Sequence, residues 1–353
     1  MKIKLAVLEK DSSYLQRIVS VFSTKYSDKF EIYSFTDEEI TYSTLESTKI
    51  DVLVASDVFE IDMKRIPKRC GFAYLVDSMD IESVNNQRAI CKFQKVDLIY
   101  KQILSIYSEN AGNVAGLKLG DDTAKIIAFQ SVSGGCGGST MAAACALHFA
   151  AQGKKTLYLN LEKYGSADVF FSAEGQFDMS DIIYALKSKK ANLALKLESS
   201  VKQDPRGVCF YSQSKLALDM LELNTDDILR LISEIRLTGS YNVIVLDLDF
   251  SIDAEVLKIL RQTHALIWVG DGSDISNVKL FRAYTALSIK EQNADAPITN
   301  RISLIYNKFS NKTCKTLDDI GIKTIGGNPR FEHASTAMVL GQVASKDIFD
   351  KII

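Results

Sequence analysis

Short apolar runs alternate with helix-spaced apolar positions along the first third of the chain. The runs KIKLAVL at residues 2–8 and GFAYLV at residues 71–76 have the length and composition of buried strands. Between such runs, apolar residues recur at the spacing of one helix face at Leu15, Ile18, Val19 and Phe22. Strands that alternate with helices predict a small parallel sheet wrapped by helices.

The rest of the chain repeats this alternation on a larger scale. A buried strand is predicted at residues 124–131, followed by a glycine-rich turn and an alanine-rich helix over residues 141–152, which Gly153 ends. Further strands are predicted at TLYLNLE, GVCFYSQ, YNVIVLDLD, HALIWVG, ISLIYN and a short KTIGG. This pattern predicts a doubly wound α/β domain with a largely parallel sheet.

The length and one glycine-rich stretch divide the chain. With 353 residues it is longer than one ordinary domain, since domains cluster near ~100–150 residues. Residues 110–122 contain three glycines and two asparagines and show little periodicity. We therefore predict a first domain at residues 1–109, a linker at residues 110–122 and a second domain at residues 123–353. Both are expected to be three-layer, doubly wound α/β folds.

Composition and charge narrow the class of protein. Hydrophobic residues make up 46% and charged residues 24% of the chain, as in a globular protein. The net charge of −2 provides no positive field to attract a nucleic acid. The cysteines form no C-x-x-C pair, no apolar run approaches the ~18 residues of a spanning helix, and the N-terminus does not resemble a signal peptide. We expect a cytoplasmic protein with no integral membrane segment and no nucleic acid partner.

The sharpest chemical signal is the segment SVSGGCGGST at residues 131–140, between a predicted strand and a predicted helix. Backbone N–H groups of such a turn converge on an anion, so the segment predicts a phosphate-binding loop. A dinucleotide-binding fingerprint fits less well, because Gly135 and Gly137 as its first glycines place Thr140 at the third. A standard P-loop fits only in part, because Gly138 stands at its lysine. Alternatively, the glycines only make a tight turn in a protein without a nucleotide.

The loop resembles the deviant Walker A motif, x-K-G-G-x-G-K-S/T-T, of the MinD/ParA family. It matches the motif at Gly134, Gly135, Gly137, Ser139 and Thr140. YNVIVLDLDF continues the resemblance by placing Asp247 at the Walker B aspartate, and ISLIYNKF by placing Asn307 at an asparagine that contacts adenine. The loop GGNPRF stands where the family packs a loop against the base.

This resemblance spans about residues 122–345 and implies a P-loop NTPase fold that binds ATP and magnesium as a homodimer. The implied nucleotide-binding residues are Gly134, Gly135, Cys136, Gly137, Gly138, Ser139, Thr140, Asn307, Pro329 and Arg330. The implied magnesium ligands are Ser139 and Asp247. Asn160 and Glu162 take the two positions of the family's D-x-D switch segment and are weak catalytic candidates.

Both family lysines are absent from the loop. Ser133 replaces the lysine that reaches the partner subunit's nucleotide, and Gly138 replaces the lysine on the β- and γ-phosphates. Each loss removes a charge-assisted contact worth ~1.5–3 kcal/mol, so binding is expected to weaken unless another cation substitutes. The candidates for that substitution are Lys154, Lys163, Lys308 and Arg330. Since Asn160 cannot take a proton from water, we expect ATP binding with weak or absent hydrolysis.

The first domain is similar to a response-regulator receiver, a flavodoxin-like fold, over about residues 1–108. Glu9 and Asp11 follow its first strand, where receivers carry an acidic pair that binds magnesium. The phosphoacceptor position falls on Ser56 and the receiver lysine on Lys95. A serine cannot form the acyl phosphate of receiver signalling, so we expect a degenerate receiver with a structural or docking role.

A degenerate receiver followed by a deviant Walker domain resembles the TadZ/CpaE-like family of tight-adherence pilus assembly proteins. The resemblance implies an ATP-binding localisation scaffold that positions pilus assembly or secretion machinery at a cell pole. Its partners would be proteins of that machinery, which could also hold it at the inner membrane. Two alternatives stay open: an active MinD/ParA-type ATPase in partitioning or positioning, and a phosphorylation-responsive response regulator.

Overall fold

The computed structural model describes residues 2–110, 123–188, 192–317 and 320–353. These residues form two compact units. The first unit comprises residues 2–110, 185–188 and 192–200, and the second comprises residues 123–184, 201–317 and 320–353. Residues 111–122 of the predicted linker lie outside the described residues, so the linker stays a prediction.

In the first unit, strands alternate with helices as the apolar pattern predicts only in part, because the last four strands follow one another without an α-helix between them. The strands are β1 (Ile3–Leu8), β2 (Phe30–Phe35), β3 (Val52–Ser56), β4 (Gly71–Val76), β5 (Ser83–Val84) and β6 (Gln87–Cys91), and the helices are α1 (Ser12–Lys25), α2 (Glu38–Ser47) and α3 (Val96–Asn110). The sheet order is β2-β1-β3-β4-β6-β5, with every neighbouring pair parallel except β5 and β6. This is the order of a flavodoxin-like, doubly wound sheet with one short added strand.

Both faces of this sheet are covered, which produces three layers. Leu5 packs on the face that α1 and α3 cover, whereas its neighbour Ala6 packs on the face that α2 covers. Successive side chains of a strand point to opposite faces, so a strand buried on both faces has the nearly continuous apolar sequence seen in KIKLAVL.

The second part of the chain contains the longer series of elements. Its strands are β7 (Lys125–Gln130), β8 (Thr156–Asn160), β9 (Lys202–Gln203), β10 (Cys209–Phe210), β11 (Val243–Asp247), β12 (Ala265–Gly270), β13 (Ile302–Phe309) and β14 (Lys323–Pro329). Its helices are α4 (Gly138–Ala151), α5 (Ala167–Phe170), α6 (Met179–Ser188), α7 (Leu193–Ser200), α8 (Ala217–Leu221), α9 (Thr225–Leu237), α10 (Ala254–Leu260), α11 (Asp274–Lys290) and α12 (Thr336–Ala344). Within the described ranges, no helix is both long and apolar enough to cross a membrane.

The sheet of the second unit brings distant polar residues to one edge. Its order is β14-β13-β12-β7-β11-β8-β10-β9, and all neighbours are parallel except β9 and β10. The register pairs Asp247 at the end of β11 with Phe129 on one side and Asn160 on the other. The carboxyl ends of these three strands therefore meet beside the glycine-rich turn that follows β7.

Several predicted elements, among them one helix and one strand of the second unit, differ in length from the observed ones. Helix α4 begins at Gly138 rather than Met141, because the last residues of the glycine loop form its first turn. The predicted strand GVCFYSQ contributes only Cys209 and Phe210 to the sheet. Only these two residues pair with the neighbouring strands β8 and β9, and such pairing cannot be read from amino-acid composition.

Helix α7 lies in the sequence range predicted as the second domain, yet it packs on α3 in the first unit. The buried Lys196 donates a hydrogen bond to the hydroxyl of Ser105 at 3.0 Å. The hydroxyl of Tyr100 donates to Glu198 at 2.6 Å. Helical spacing predicts an apolar face but not the core that this face covers, so sequence alone could not assign this helix.

Candidate functional site

The glycine-rich turn joins the end of β7 to the beginning of α4. Gly135 and Gly137 adopt φ values of 79° and 85°, which lie in the left-handed region that favours glycine. Gly137 is the N-cap residue of α4, and no side chain caps the helix there. The first backbone N–H groups of α4 therefore lack a side-chain acceptor and form the positive end of the helix dipole. This is the arrangement that binds a phosphate.

A cavity of about 380 Å³ lies over this turn. Its lining includes the glycines of the loop, Ser139 and Thr140. It also includes Glu162, Asp247 and Asp249. The cavity thus brings a glycine loop and three carboxyl groups together, an arrangement that suits a phosphate with a divalent cation between the two.

Asp247 is the most buried of the three acidic residues that line the cavity, with only 2% of its surface exposed. It accepts hydrogen bonds from the Tyr158 hydroxyl at 2.6 Å and from the Asn160 amide at 3.1 Å. Burial, followed by the nearby charge of Glu162, raises the pKa of Asp247 to about 8. A cation in the cavity would favour the ionised form of this carboxylate.

Glu162 contacts the serine that the sequence predicts as a magnesium ligand. The Ser139 hydroxyl donates to Glu162 Oε1 at 3.1 Å, and the Asn160 amide donates to Glu162 Oε2 at 3.0 Å. The residues available to hold magnesium are therefore Ser139, Asp247 and Glu162. No group of three or more His, Cys, Asp or Glu side chains suited to a metal occurs in the described ranges. These residues fit a magnesium ion that takes its remaining ligands from phosphate oxygens and water.

Asn160 holds the carboxylates in place. Its amide nitrogen lies within hydrogen-bonding distance of Tyr158, Glu162 and Asp247, and its oxygen accepts from the Glu162 backbone N–H at 3.2 Å. An ionised aspartate at this position would add a negative charge beside Glu162 and would have no proton to donate to either carboxyl group. The geometry therefore assigns Asn160 a positioning role, which the sequence pattern does not reveal.

Two consecutive residues at the end of β13 bond to the glycine loop. The buried Asn307 donates to the Cys136 carbonyl at 2.7 Å, and the Lys308 ammonium donates to the Gly135 carbonyl at 2.7 Å. Lys308 has a φ of 60°, and the pairing of β13 with β14 shifts its register between Tyr306 and Phe309. Because consecutive side chains of a regular strand point to opposite faces, this irregularity allows both side chains to reach the loop.

The position of the missing family lysine is occupied by a neighbouring side chain. A Cβ atom at Gly138 would lie 2.4 Å from the hydroxyl oxygen of Ser131, so no larger residue fits there unless Ser131 moves. The Ser131 hydroxyl also lines the cavity and is buried without a hydrogen-bond partner within the described part of the chain. Ser131 is a candidate phosphate contact that sequence comparison missed, because the motif is aligned on glycines and lysines.

Three further predicted residues, Cys136, Pro329 and Arg330, do not belong to the lining of this cavity. Cys136 is fully buried, and burial raises the pKa of its thiol. Pro329 lines a second cavity of about 530 Å³, together with Tyr306 and Phe309. Arg330 follows β14 and is exposed.

The first unit contains its own polar cluster at the carboxyl ends of β1, β3 and β4. The ammonium of Lys92 lies 3.0 Å from Glu9, 3.1 Å from Asp77 and 3.2 Å from the buried hydroxyl of Ser56. The expectation that Lys95 is the receiver lysine is therefore wrong. Strand β6 ends at Cys91, so Lys92 follows it directly, whereas Lys95 lies at the start of α3.

Comparisons with solved structures show the fold. About two thirds of the chain has the fold of solved ParA and MinD proteins. The chain is similar to the ParA family ATPase from Chlorobium tepidum TLS, with 21% identity and a TM-score of 0.52 over 66% of this chain and 97% of that one. It is also similar to the MinC:MinD cell division protein complex of Aquifex aeolicus, with 16% identity and a TM-score of 0.50 over 65% of this chain and 94% of that one.

The first unit is identified more narrowly. Residues 1–108 match the family model of the TadZ-like receiver domain. No curated protein matches the chain. The predicted α/β fold class is confirmed, and so is the predicted pairing of a TadZ/CpaE-like receiver domain with a MinD/ParA-type fold.

Proposed function

We propose that this protein is an ATP-binding scaffold of the tight-adherence pilus system that positions assembly or secretion machinery at a cell pole. One observation carries the proposal. A glycine loop that includes Ser139 shares a cavity with Glu162 and Asp247, in the same chain as a TadZ-like receiver domain. The receiver match supports a role in tight-adherence pilus assembly, and the cavity would hold the nucleotide.

The glycine loop would bind the phosphates of ATP. Its left-handed residues Gly135 and Gly137 turn the backbone, and the N-terminus of α4 supplies uncapped N–H groups and a positive dipole end. Ser139, Asp247 and Glu162 would hold magnesium beside the phosphates. Bound magnesium would neutralise the negative charge of the phosphates and of these carboxyl groups.

Weak or absent hydrolysis follows from the side chains that surround the cavity. Phosphoryl transfer needs positive groups around the transferred phosphoryl and a residue that orients the attacking water. Ser133 and Gly138 provide no charge. The amide of Asn160 bonds to Glu162 and Asp247, so that it orients carboxylates rather than a water molecule.

We further propose that the protein acts as a homodimer and recruits proteins of the pilus or secretion machinery. One of its structural relatives is a MinC:MinD complex, in which a protein of this fold binds a partner protein. The net charge of −2 disfavours DNA as the partner, because DNA binding depends on positive charge at the phosphates.

Calorimetric titration of the full chain with ATP and magnesium, followed by a phosphate-release assay on the same sample, tests this function. The expected result is measurable ATP binding with phosphate release close to background. A Ser139→Ala variant should lose most of the magnesium dependence of binding. If the wild-type protein binds no ATP, the nucleotide-dependent scaffold is refuted. Rapid phosphate release would instead favour an active ATPase of the partitioning type.

A further inference from the structure

We propose that Lys308 supplies to the phosphates of the bound nucleotide the positive charge that residues 133 and 138 no longer provide. This inference rests on the proposed binding of ATP and deepens it, because it names the cation of the site. The structure distinguishes Lys308 from the other cations that the sequence offers.

The cavity has a marked imbalance of charge. Three carboxylates line it, those of Glu162, Asp247 and Asp249, and Lys308 is the one basic residue among the described residues of its lining. A nucleotide brings further negative charge into this space. A cation on the loop side is therefore needed in addition to magnesium on the carboxylate side.

Lys308 bonds to the loop and lines the same cavity. Its ammonium is 2.7 Å from the Gly135 carbonyl, and its Cε is 3.8 Å from the position that a Cβ of Gly137 would occupy. A phosphate oxygen is a stronger acceptor for an ammonium than a neutral carbonyl, because both partners are then charged. The flexible four-carbon stem of lysine allows the ammonium to turn from Gly135 towards a bound phosphate.

The backbone at the end of β13 holds the stem of Lys308 in this position. Its left-handed φ of 60° is uncommon for a residue other than glycine. The adjacent Asn307 already bonds to the Cys136 carbonyl, so it connects β13 to the loop independently of Lys308. Conformations of this kind are concentrated at functional sites, where the surrounding structure stabilises them.

The other candidate cations are less well placed. The ammonium of Lys154 lies 4.5 Å from the ring centre of Phe149, and Lys154 follows the C-terminal end of α4, whereas the loop is at its N-terminal end. Neither Lys163 nor Arg330 belongs to the lining of the cavity. Lys308 thus supplies a positive charge for binding, whereas hydrolysis would still lack a residue that orients water, because the Asn160 amide bonds to Glu162 and Asp247.

The test compares Lys308→Met and Lys308→Arg with the control Lys312→Met in the full chain. The control removes the same charge from an exposed residue outside the lining of the cavity. Calorimetry would measure affinity for Mg-ATP and Mg-ADP at several salt concentrations, and tryptophan fluorescence would verify that each variant is folded.

We expect Lys308→Met to weaken Mg-ATP binding about 10- to 100-fold, which corresponds to one charge-assisted contact. The loss should be smaller for Mg-ADP, and the salt dependence of binding should become weaker. Lys308→Arg should restore most of the affinity, and Lys312→Met should retain it.

Three results would overturn the inference about Lys308. One is an unchanged ATP affinity of Lys308→Met while the wild type binds ATP, which leaves the proposed function standing. Another is an equal loss for ATP and ADP with unchanged salt dependence, which would show that Lys308 only shapes the loop. The third is a wild-type protein that binds no nucleotide, which refutes the proposed function as well.

Discussion

Replacing Gly137 by alanine tests the close contact between the glycine loop and strand β13. Gly137 has a φ of 85°, and a Cβ added there would lie 2.5 Å from the amide nitrogen of Asn307. Gly135 provides a matched control. Its φ is 79°, but a Cβ added there meets no heavy atom within 4 Å among the described residues. The two substitutions therefore share the backbone strain and differ in the contact.

The expected magnitudes follow from these two contributions. Alanine in the left-handed region costs about 1–2 kcal/mol, so Gly135→Ala should lower the free energy of unfolding by that amount. Gly137→Ala should incur the same cost and also displace Asn307 from the Cys136 carbonyl. A buried amide that loses its partner costs about 1–3 kcal/mol, so the total for Gly137→Ala is about 2–5 kcal/mol.

The assay is denaturant unfolding followed by tryptophan fluorescence. Trp268 is the only tryptophan of the chain, and it is fully buried in β12, so its fluorescence reports on the second unit. Equal destabilisation by Gly135→Ala and Gly137→Ala would refute the reasoning. That result would mean that Asn307 moves aside at no cost and does not anchor the loop.

Two further predictions concern buried charges. Lys92→Met should destabilise the first unit by about 3–5 kcal/mol, because it leaves the Glu9 carboxylate buried without its cation. An added Glu9→Gln should recover much of this loss. Thermal unfolding monitored by circular dichroism measures both effects. Burial raises the pKa of Asp204, but hydrogen bonds, chiefly from Arg206, outweigh this effect and hold it below its usual 3.8. The ionised form is thus favoured in the folded state, so this contribution to stability should persist above pH 3.8 and decline as the pH falls below it. Asp204→Asn should be less stable near neutral pH and lose less stability on acidification, and identical pH profiles for the two proteins would contradict this assignment.

Most of the fold could be predicted from local patterns. Apolar runs predict the strands, and the glycines after β7 predict a turn between a strand and a helix. Both patterns are local, because they depend on residues close together in the sequence. Ser139 in the first turn of α4 and Asp247 at the end of β11 could likewise be aligned with a known motif. Their proximity then follows from a parallel sheet, whose carboxyl ends share one edge.

Other features required the tertiary structure. Whether Lys92 or Lys95 contacts the acidic cluster of the first unit depends on where β6 ends. The packing of α7 on α3 depends on tertiary contacts that helical spacing does not show. A motif could not show that Ser131 occupies the space beside Gly138, because this depends on which atoms fill that space in the folded protein.

The sequence by itself determined two α/β domains, a glycine-rich turn between a strand and a helix in the second, and the absence of lysine at residues 133 and 138. Only the tertiary structure decided which cation lies beside the turn, that Glu162 joins Ser139 and Asp247, and that Asn160 holds these carboxylates. The physical reason is sequence separation. Lys308 and Gly135 are 173 residues apart, and their contact depends on a register shift in a strand that local pattern does not encode.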